Sequence, residues 1–384
     1  MQNKTNGLKV IRKLLSLVKP LSKYMVIAVT AGVISFLFYT AISVLAANLI
    51  VEYIDGGNNI ARIIKIMIGA VLLRGLFRYL EQYMNHLIAF KVLALLRNKV
   101  FAAVRKLAPA KIEMMNKGDL ISAISSDMEL LEVFYAHTIS PVCIAIITSI
   151  IYACYLSTIS PVAAAIMIVG HIAIAVILPI IFSKHASAAA AKTRHNLAMI
   201  SSSFLDLLRG LGEIISFAYQ KQAVKKVNEL NHKLKTNQDI LIRQLAILLA
   251  LVDLLEVFIT AIIFAVLSMT GLDGKSAFIA AVLVYFSFGA VRAVALLGNG
   301  LSQTLASAHR VMGILGEKPM VQEIVGKHNL KKNEIANYSG DIIEINNINF
   351  AYKERAILKD FSTSVKNHES VSYTHLTLPT TPYV

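Results

Sequence analysis

Long apolar runs with few or no charges recur along this chain and limit what it can fold into. About 20 apolar residues in a helix cross the hydrocarbon core of a bilayer, and residues 24–51, 162–182, 245–269 and 277–297 reach that length. A helix lets such a run satisfy its own backbone groups away from water. Only 16% of the residues are charged, against about 25% in an ordinary soluble domain. The expectation is an all-α membrane domain over residues 24–316 with six long transmembrane helices. Its second helix starts near Ile60 and its third covers residues 139–156.

The formal net charge of +15 is large enough for nucleic acid, but its placement argues against that partner. Basic residues fill alternate loops, as the positive-inside rule describes. The segments EYIDGGNN, STISP and TGLDGK are then external, and among them only Lys275 is clearly basic. Both termini are expected in the cytoplasm of a bacterium, with the chain multi-pass in its inner membrane. The first apolar run is too long for a signal-peptide core of about 7–15 residues. Residues 1–23 are basic and partly amphipathic, which fits a cytoplasmic elbow helix lying at the membrane surface. Cys143 and Cys154 fall on one apolar helix. Eleven residues place them about 16 Å apart, too far for a disulfide.

Residues 74–141 organise the rest. Helical patterning runs from Ile60 to Leu107, a length of about 70 Å against a core of about 30 Å. The excess projects into the cytoplasm with Lys91, Arg97, Lys99, Arg105 and Lys106 on it. The helix should break at Pro109 and pass through a short polar turn around Gly118, near Asp119 and Asp127. A second internal segment, residues 184–240, contains LLRGLGEIISFAY with Gly210, Gly212 and Glu213. Residues 109–118 and 207–217 read as short contact helices at the tips of levers; plain connectors would be shorter.

Arg74, Arg78, Gln82 and His86 recur every four residues and form one slowly drifting polar stripe. Arg74 lies about 21 Å below the external start of its helix, in the inner half of the bilayer. Asp253, Glu256 and Arg292 should fall at similar depth. Charges there are expensive and usually face a protein interior or a watery cavity. They predict a substrate cavity of positive character for a small anionic substrate. A structural role competes with this, Arg78 pairing with Glu81 and Arg292 with Asp253 or Glu256. The same residues can do both. His171, alone in its apolar run, reads as a packed or hydrogen-bonded helix residue.

After Arg310 the composition changes. Residues 317–340 read as a polar linker, and residues 341–371 as the strand-rich opening of a soluble domain. Residues 372–384, SYTHLTLPTTPYV, fit neither strand pattern and read as a non-native tail.

The six runs, the segment GDLISAISSDMELLE, the segment LASAHRVMGILGEKP and the strands IIEINNINFAYKERAILKDFS together resemble a half-transporter of the ABC exporters. The resemblance covers most of the chain. It implies the fused permease and ATP-binding layout, ATP and Mg²⁺ in the intact parent, and a second ABC half-transporter as heterodimeric partner. Gly118, Asp119 and Asp127 match the first internal loop, and Tyr352 falls on the position that stacks on adenine. The phosphate loop G-x-x-x-x-G-K-[ST] that should follow does not occur. ATP hydrolysis is therefore expected of the intact parent only.

A narrower resemblance sits in LRGLFRYLEQYMNHLIAFKVLALLRNKVF with LAPA, GDLI and ISP. It is similar to the CydC-type subunit of the thiol-reductant exporters, which implies cysteine, glutathione or haem as cargo and a link to cytochrome bd assembly. His86 matches a histidine of that pattern, which makes it a candidate ligand of haem b. Other readings are an interfacial histidine bonded to a neighbour, an exporter of lipid, drug or peptide, and a membrane scaffold or haem-binding protein that does not transport.

Overall fold

The computed structural model describes residues 12, 14, 16, 19–108, 111–112, 115, 117–320, 341–352 and 355–366. Pro109, most of the elbow segment and linker, and the tail at 372–384 lie outside the described residues. The chain forms two compact units, one of residues 1–103 and 117–316, the other of residues 104–116 and 317–384.

The first unit is helical. Helix α1 is Ser22–Ile54 and α2 is Ile60–Leu107. Helices α3 (Lys117–Ile124), α4 (Ser126–Phe134) and α5 (Ser140–Ser157) follow. Next come α6 (Pro161–Ile172) and α7 (Leu178–Arg209), then the short α8 (Leu211–Ser216). The unit closes with α9 (Gln220–Met269), α10 (Gly274–Ala295) and α11 (Gly298–Gly316).

External turns carry the signals that stop and restart helices. Ser160 caps α6, its hydroxyl accepting from the Ala163 N–H at 3.3 Å, with Pro161 in the first turn. Asp273 caps α10 by accepting from the Ser276 N–H at 3.1 Å. Hydrogen bonds from Ser276 hold the Asp273 carboxyl below its ordinary range. Lys275 then pairs with Asp55, tying the start of α10 to the end of α1.

Two π-helical turns, Tyr135–Ile139 and Ala173–Ile177, join α4 to α5 and α6 to α7. Each is followed by a proline, Pro141 and Pro179. A proline lacks the donor for the carbonyl four residues back and crowds it. A widened turn absorbs that mismatch without ending the helix.

Among the described residues, five helical stretches are long and apolar enough to cross a membrane, in residues 19–54, 120–157, 161–182, 220–269 and 274–295. The expected second span does not meet that measure, because Arg62, Lys65, Arg74, Arg78 and Glu81 interrupt α2. Its helix is nonetheless continuous from Ile60 to Leu107. Gly118, expected in a polar turn, lies in the first turn of α3, and residues 109, 110, 113, 114 and 116 ahead of it are outside the described residues. The sixth expected span ends at Ala295, and α11 starts anew at Gly298.

The core sits where α1, α5, α6, α9 and α10 meet, around Ile144, Met167, Ile263, Val284 and Phe288. Helix α2 contributes a buried stripe at Glu81, Asn85, Ile88, Ala89, Val92, Leu96 and Val100, the spacing of one helix face. Between Ile60 and Leu80 only Ala70 of α2 is buried. His171 bridges three helices, bonding Ser149 at 2.8 Å and Ser287 at 3.1 Å. Tyr135 donates to the Leu14 carbonyl at 2.9 Å and anchors the part of the elbow that is described.

In the second unit, Lys111 pairs with Glu317. Strands β1 (Asp341–Tyr352) and β2 (Arg355–Lys366) form an antiparallel hairpin with several register shifts. Asn347 and Asp360 take positive φ at these irregularities. Ile343, Phe350, Ile357 and Phe361 stay exposed on it.

Close approach of α1 to its neighbours depends on Gly32. A Cβ there would lie 2.2 Å from Ile144 Cδ1 and 3.1 Å from Glu81 Cδ. Gly32→Leu is expected to cost about 1–3 kcal/mol through overpacking, read as a lowered unfolding temperature in detergent; an unchanged value would refute the tight contact.

Candidate functional site

Helix α2 carries the polar stripe, on which Arg74, Arg78 and His86 are exposed and Gln82 is half-buried. The Arg74 guanidinium lies 4.5 Å from the Tyr39 ring centre, a cation–π contact. Arg78 Nη1 donates to Glu81 Oε2 at 2.6 Å. Glu81 is 2% exposed and Arg78 half exposed. From α10, Arg292 pairs with Asp253 and, at 3.4 Å, with Glu256 on α9.

Arg74, Arg78 and Arg292 line one cavity of about 300 Å³, with Phe36 and Tyr39 from α1. Gly289 permits this shape, since a Cβ there would come within 2.9 Å of the Tyr39 ring. A second cavity of about 250 Å³ shares Phe36 and Arg78 with the first. Gln82, Asn85, Glu81 and His137 are on its wall.

Charge is more balanced here than the arginine pattern suggests. Arg78 and Arg292 each hold carboxylates, whereas the described contact of Arg74 is to an aromatic face. Two buried acceptors have no described donor, Asn85 Oδ1 and Glu256 Oε1. The structure therefore contains both the pairs and the cavity that the sequence left as alternatives.

His86 stands apart. Its ring is exposed, 6.3 Å from Phe90 and 5.7 Å from His137, nearly perpendicular to the latter. Neither cavity includes it. An exposed imidazole offers a nitrogen, but the described residues do not enclose a macrocycle around it.

The loop residues separate by role. Asp127 is buried in α4, accepting from Ser307 at 2.8 Å and from Arg310 Nε at 2.7 Å, both on α11. A second Arg310 nitrogen reaches its other oxygen, making the pair bidentate. Gly118 is exposed on α3; Asp119 lies in the same helix, and its side chain is outside the described residues. Gly210 closes α7, its N–H donating to the Asp206 carbonyl at 2.9 Å. Gly212 and Glu213 lie in α8. Ala218, just beyond, takes φ +53, a backbone state unusual for alanine. Phe204, Leu208, Leu211, Ile214 and Val224 frame an apolar pocket of about 330 Å³ beside these residues. Tyr352 ends β1, its backbone partnered with Arg355.

Sequence reasoning missed Tyr39, Asn85, His137, Ser307 and Arg310. Asn85 was discoverable, because it follows Glu81 by four residues and shares the arginine face. Ser307 and Arg310 carry no local signal; they matter only because α11 folds back on α4.

Long helices reaching past an apolar belt, with a charged cavity between them and buttressed internal loops, define the membrane half of a transporter. The chain belongs to the ABC transporter transmembrane region family, which it matches over residues 21–291. It is 35% identical to the "Probable ABC transporter ATP-binding/permease protein" of Haemophilus influenzae over 95% of this chain and 66% of that protein. It is 22% identical to the "Glutathione/L-cysteine transport system ATP-binding/permease protein CydC" of the same organism, over 79% of this chain and 53% of that one. Identity to the "ATP-dependent lipid A-core flippase" of Pseudoalteromonas translucida is 23%, over 93% and 62%. The chain thus spans 66% or less of the length of each of these three relatives. The wider exporter resemblance holds, while the CydC likeness is weaker than that to the first relative.

The Asp127 pair makes an asymmetric prediction. Arg310→Ala leaves a buried carboxylate uncompensated and should cost about 3–5 kcal/mol. Asp127→Ala leaves a half-exposed guanidinium that water can reach, and should cost roughly 1.5–3 kcal/mol. Denaturant unfolding of the two variants side by side tests this; equal losses would contradict it.

Proposed function

We propose that this chain is the membrane part of an ATP-driven exporter subunit that moves a small anionic thiol of the cysteine or glutathione kind out of the bacterial cytoplasm. The observation that carries the reading is the cavity lined by Arg74, Arg78 and Arg292, in which Arg74 is held by an aromatic face. A carboxylate entering there meets an arginine whose described partner is not an acid.

The partner in this reading is a second half-transporter. The outer half of α2 exposes Leu72, Leu76 and Tyr79, and α7 to α9 expose Phe204, Leu208 and Leu211. A second subunit would cover the first patch in the membrane and dock on the second in the cytoplasm. ATP with Mg²⁺, bound by the motor domains of the intact parent, supplies the closing force; Tyr352 is the residue here assigned to the adenine.

This chain's own residues then transmit and respond. Helices α2 and α9, of 48 and 50 residues, are long enough to join cavity and cytoplasm without a break. Asp127 and Arg310 bind the first internal loop to the helix leaving the last span, so both move together. Tilting α2 against α10 separates Arg74 and Arg78 from Arg292, which weakens the grip on an anion as the cavity turns outward.

Arg74→Gln should weaken glutathione binding by the chain in nanodiscs roughly tenfold or more, the scale of one lost charged hydrogen bond. Calorimetry reads this directly, and wild-type affinity in the variant would sink the anion-cavity reading.

A further inference from the structure

Two lysines from different helices converge on one phenol. Lys23 Nζ lies 5.0 Å and Lys91 Nζ 4.5 Å from the centre of the Tyr24 ring. Lys91 also donates to the Tyr24 hydroxyl at 3.3 Å. Both lysines are exposed, and neither pairs with a carboxylate among the described residues. The first turn of α1 holds no acid either. The two ammonium groups are therefore closer than the roughly 10 Å over which salt screens a charge. The ring's quadrupole offsets part of their repulsion, and an anion held by both offsets more.

Helix geometry places this cluster at a definite depth. From Ile54 back to Tyr24, α1 covers about 45 Å, and from Ile60 on to Lys91, α2 covers about 46 Å. A tilt of about 20° shortens both to roughly 42–44 Å. A bilayer with its headgroups is about 40–45 Å thick, and its hydrocarbon core about 30 Å. With the polar turn at residues 55–59 on one surface, the cluster lies in the headgroup layer of the opposite leaflet. That leaflet faces the cytoplasm in the orientation expected from the loop charges. Tyrosine is enriched at such interfaces. Towards the hydrocarbon, Val26, Ile27 and Phe90 are exposed and offer acyl chains an apolar wall.

We propose that Lys23, Lys91 and Tyr24 form a binding site for the phosphate of an anionic phospholipid, whose acyl chains lie along Val26, Ile27 and Phe90. The ammonium groups take the phosphate oxygens. The Tyr24 hydroxyl hydrogen has no acceptor among the described residues and donates to one of those oxygens. Basic clusters between membrane helices on the cytoplasmic side suit such headgroups. A zwitterionic choline lipid fits less well, since it brings a third cation towards two others. None of these residues lines either cavity, so the site is independent of the cargo. Because it draws on α1 and α2, a bound lipid ties the start of one helix to the middle of the other.

Native mass spectrometry of the chain in detergent, titrated with phosphatidylglycerol, phosphatidylcholine or glycerol 3-phosphate, tests this. The wild type should hold one phosphatidylglycerol roughly tenfold or more tightly than phosphatidylcholine, and retain no glycerol 3-phosphate. Lys23→Gln should weaken phosphatidylglycerol about fivefold, and the pair Lys23→Gln with Lys91→Gln about thirtyfold. Tyr24→Phe keeps the ring but loses the hydroxyl, and should cost roughly fivefold. Lys23→Arg with Lys91→Arg should bind as the wild type does, which separates loss of charge from loss of fold. Arg97→Gln with Lys99→Gln removes the same charge farther along α2 and should leave binding within about twofold. Equal losses in the two glutamine pairs, or equal retention of the two lipids, overturn the proposal in favour of a generally basic surface. Glycerol 3-phosphate bound as tightly as phosphatidylglycerol overturns the lipid assignment.

Discussion

A bilayer interior offers no water to a charge, and the arrangement of this bundle follows from that. Every carboxylate set deep among the helices has an arginine against it. Glu81 is buried and bonded to Arg78; Glu256 is nearly buried and shares Arg292 with Asp253. Removing one partner from such a pair leaves a charge that costs about 3–5 kcal/mol to keep buried. The first pair lies within α2, whereas Arg292 with Asp253 and Glu256 joins two helices and so fixes the registry of α9 against α10. The cavity is what remains between these anchored helices, and its walls are polar because the anchors are.

Small residues set how close the helices come. Gly32 admits Ile144 and Glu81 against α1, and Gly289 admits the Tyr39 ring against α10. Without the hydrophobic effect to drive helices together in lipid, such close packing supplies much of the association. Tyr39 reaches Arg74 because Gly289 lets its ring lie close. The setting of an arginine on one helix thus depends on a missing side chain on another.

Much of the fold was legible because its signals are local. Apolar runs, the caps at Ser160 and Asp273, and the uninterrupted patterning from Ile60 to Leu107 all lie in short windows of sequence. The pairs Arg78–Glu81 and Arg292–Asp253 were also readable, since intramembrane charges have few options. Less was legible where partners come from far along the chain. Nothing near Asp127 announces Ser307 or Arg310, which lie about 180 residues on. Gly118 sits at the start of α3, where a turn signal and a helix start are hard to tell apart in sequence.

The π turns ahead of Pro141 and Pro179 bear on how the sequence can change. Each adds one residue to a helical circuit, which shifts the phase of all that follows by about 100°. The stretch before the turn and the stretch after it therefore present independent faces, though the chain never leaves its helix. Helix α4 can keep Asp127 towards α11 while α5 keeps Ile144 towards α1, because the turn between them sets the offset. The two ends of one rod are in this way free to diverge separately.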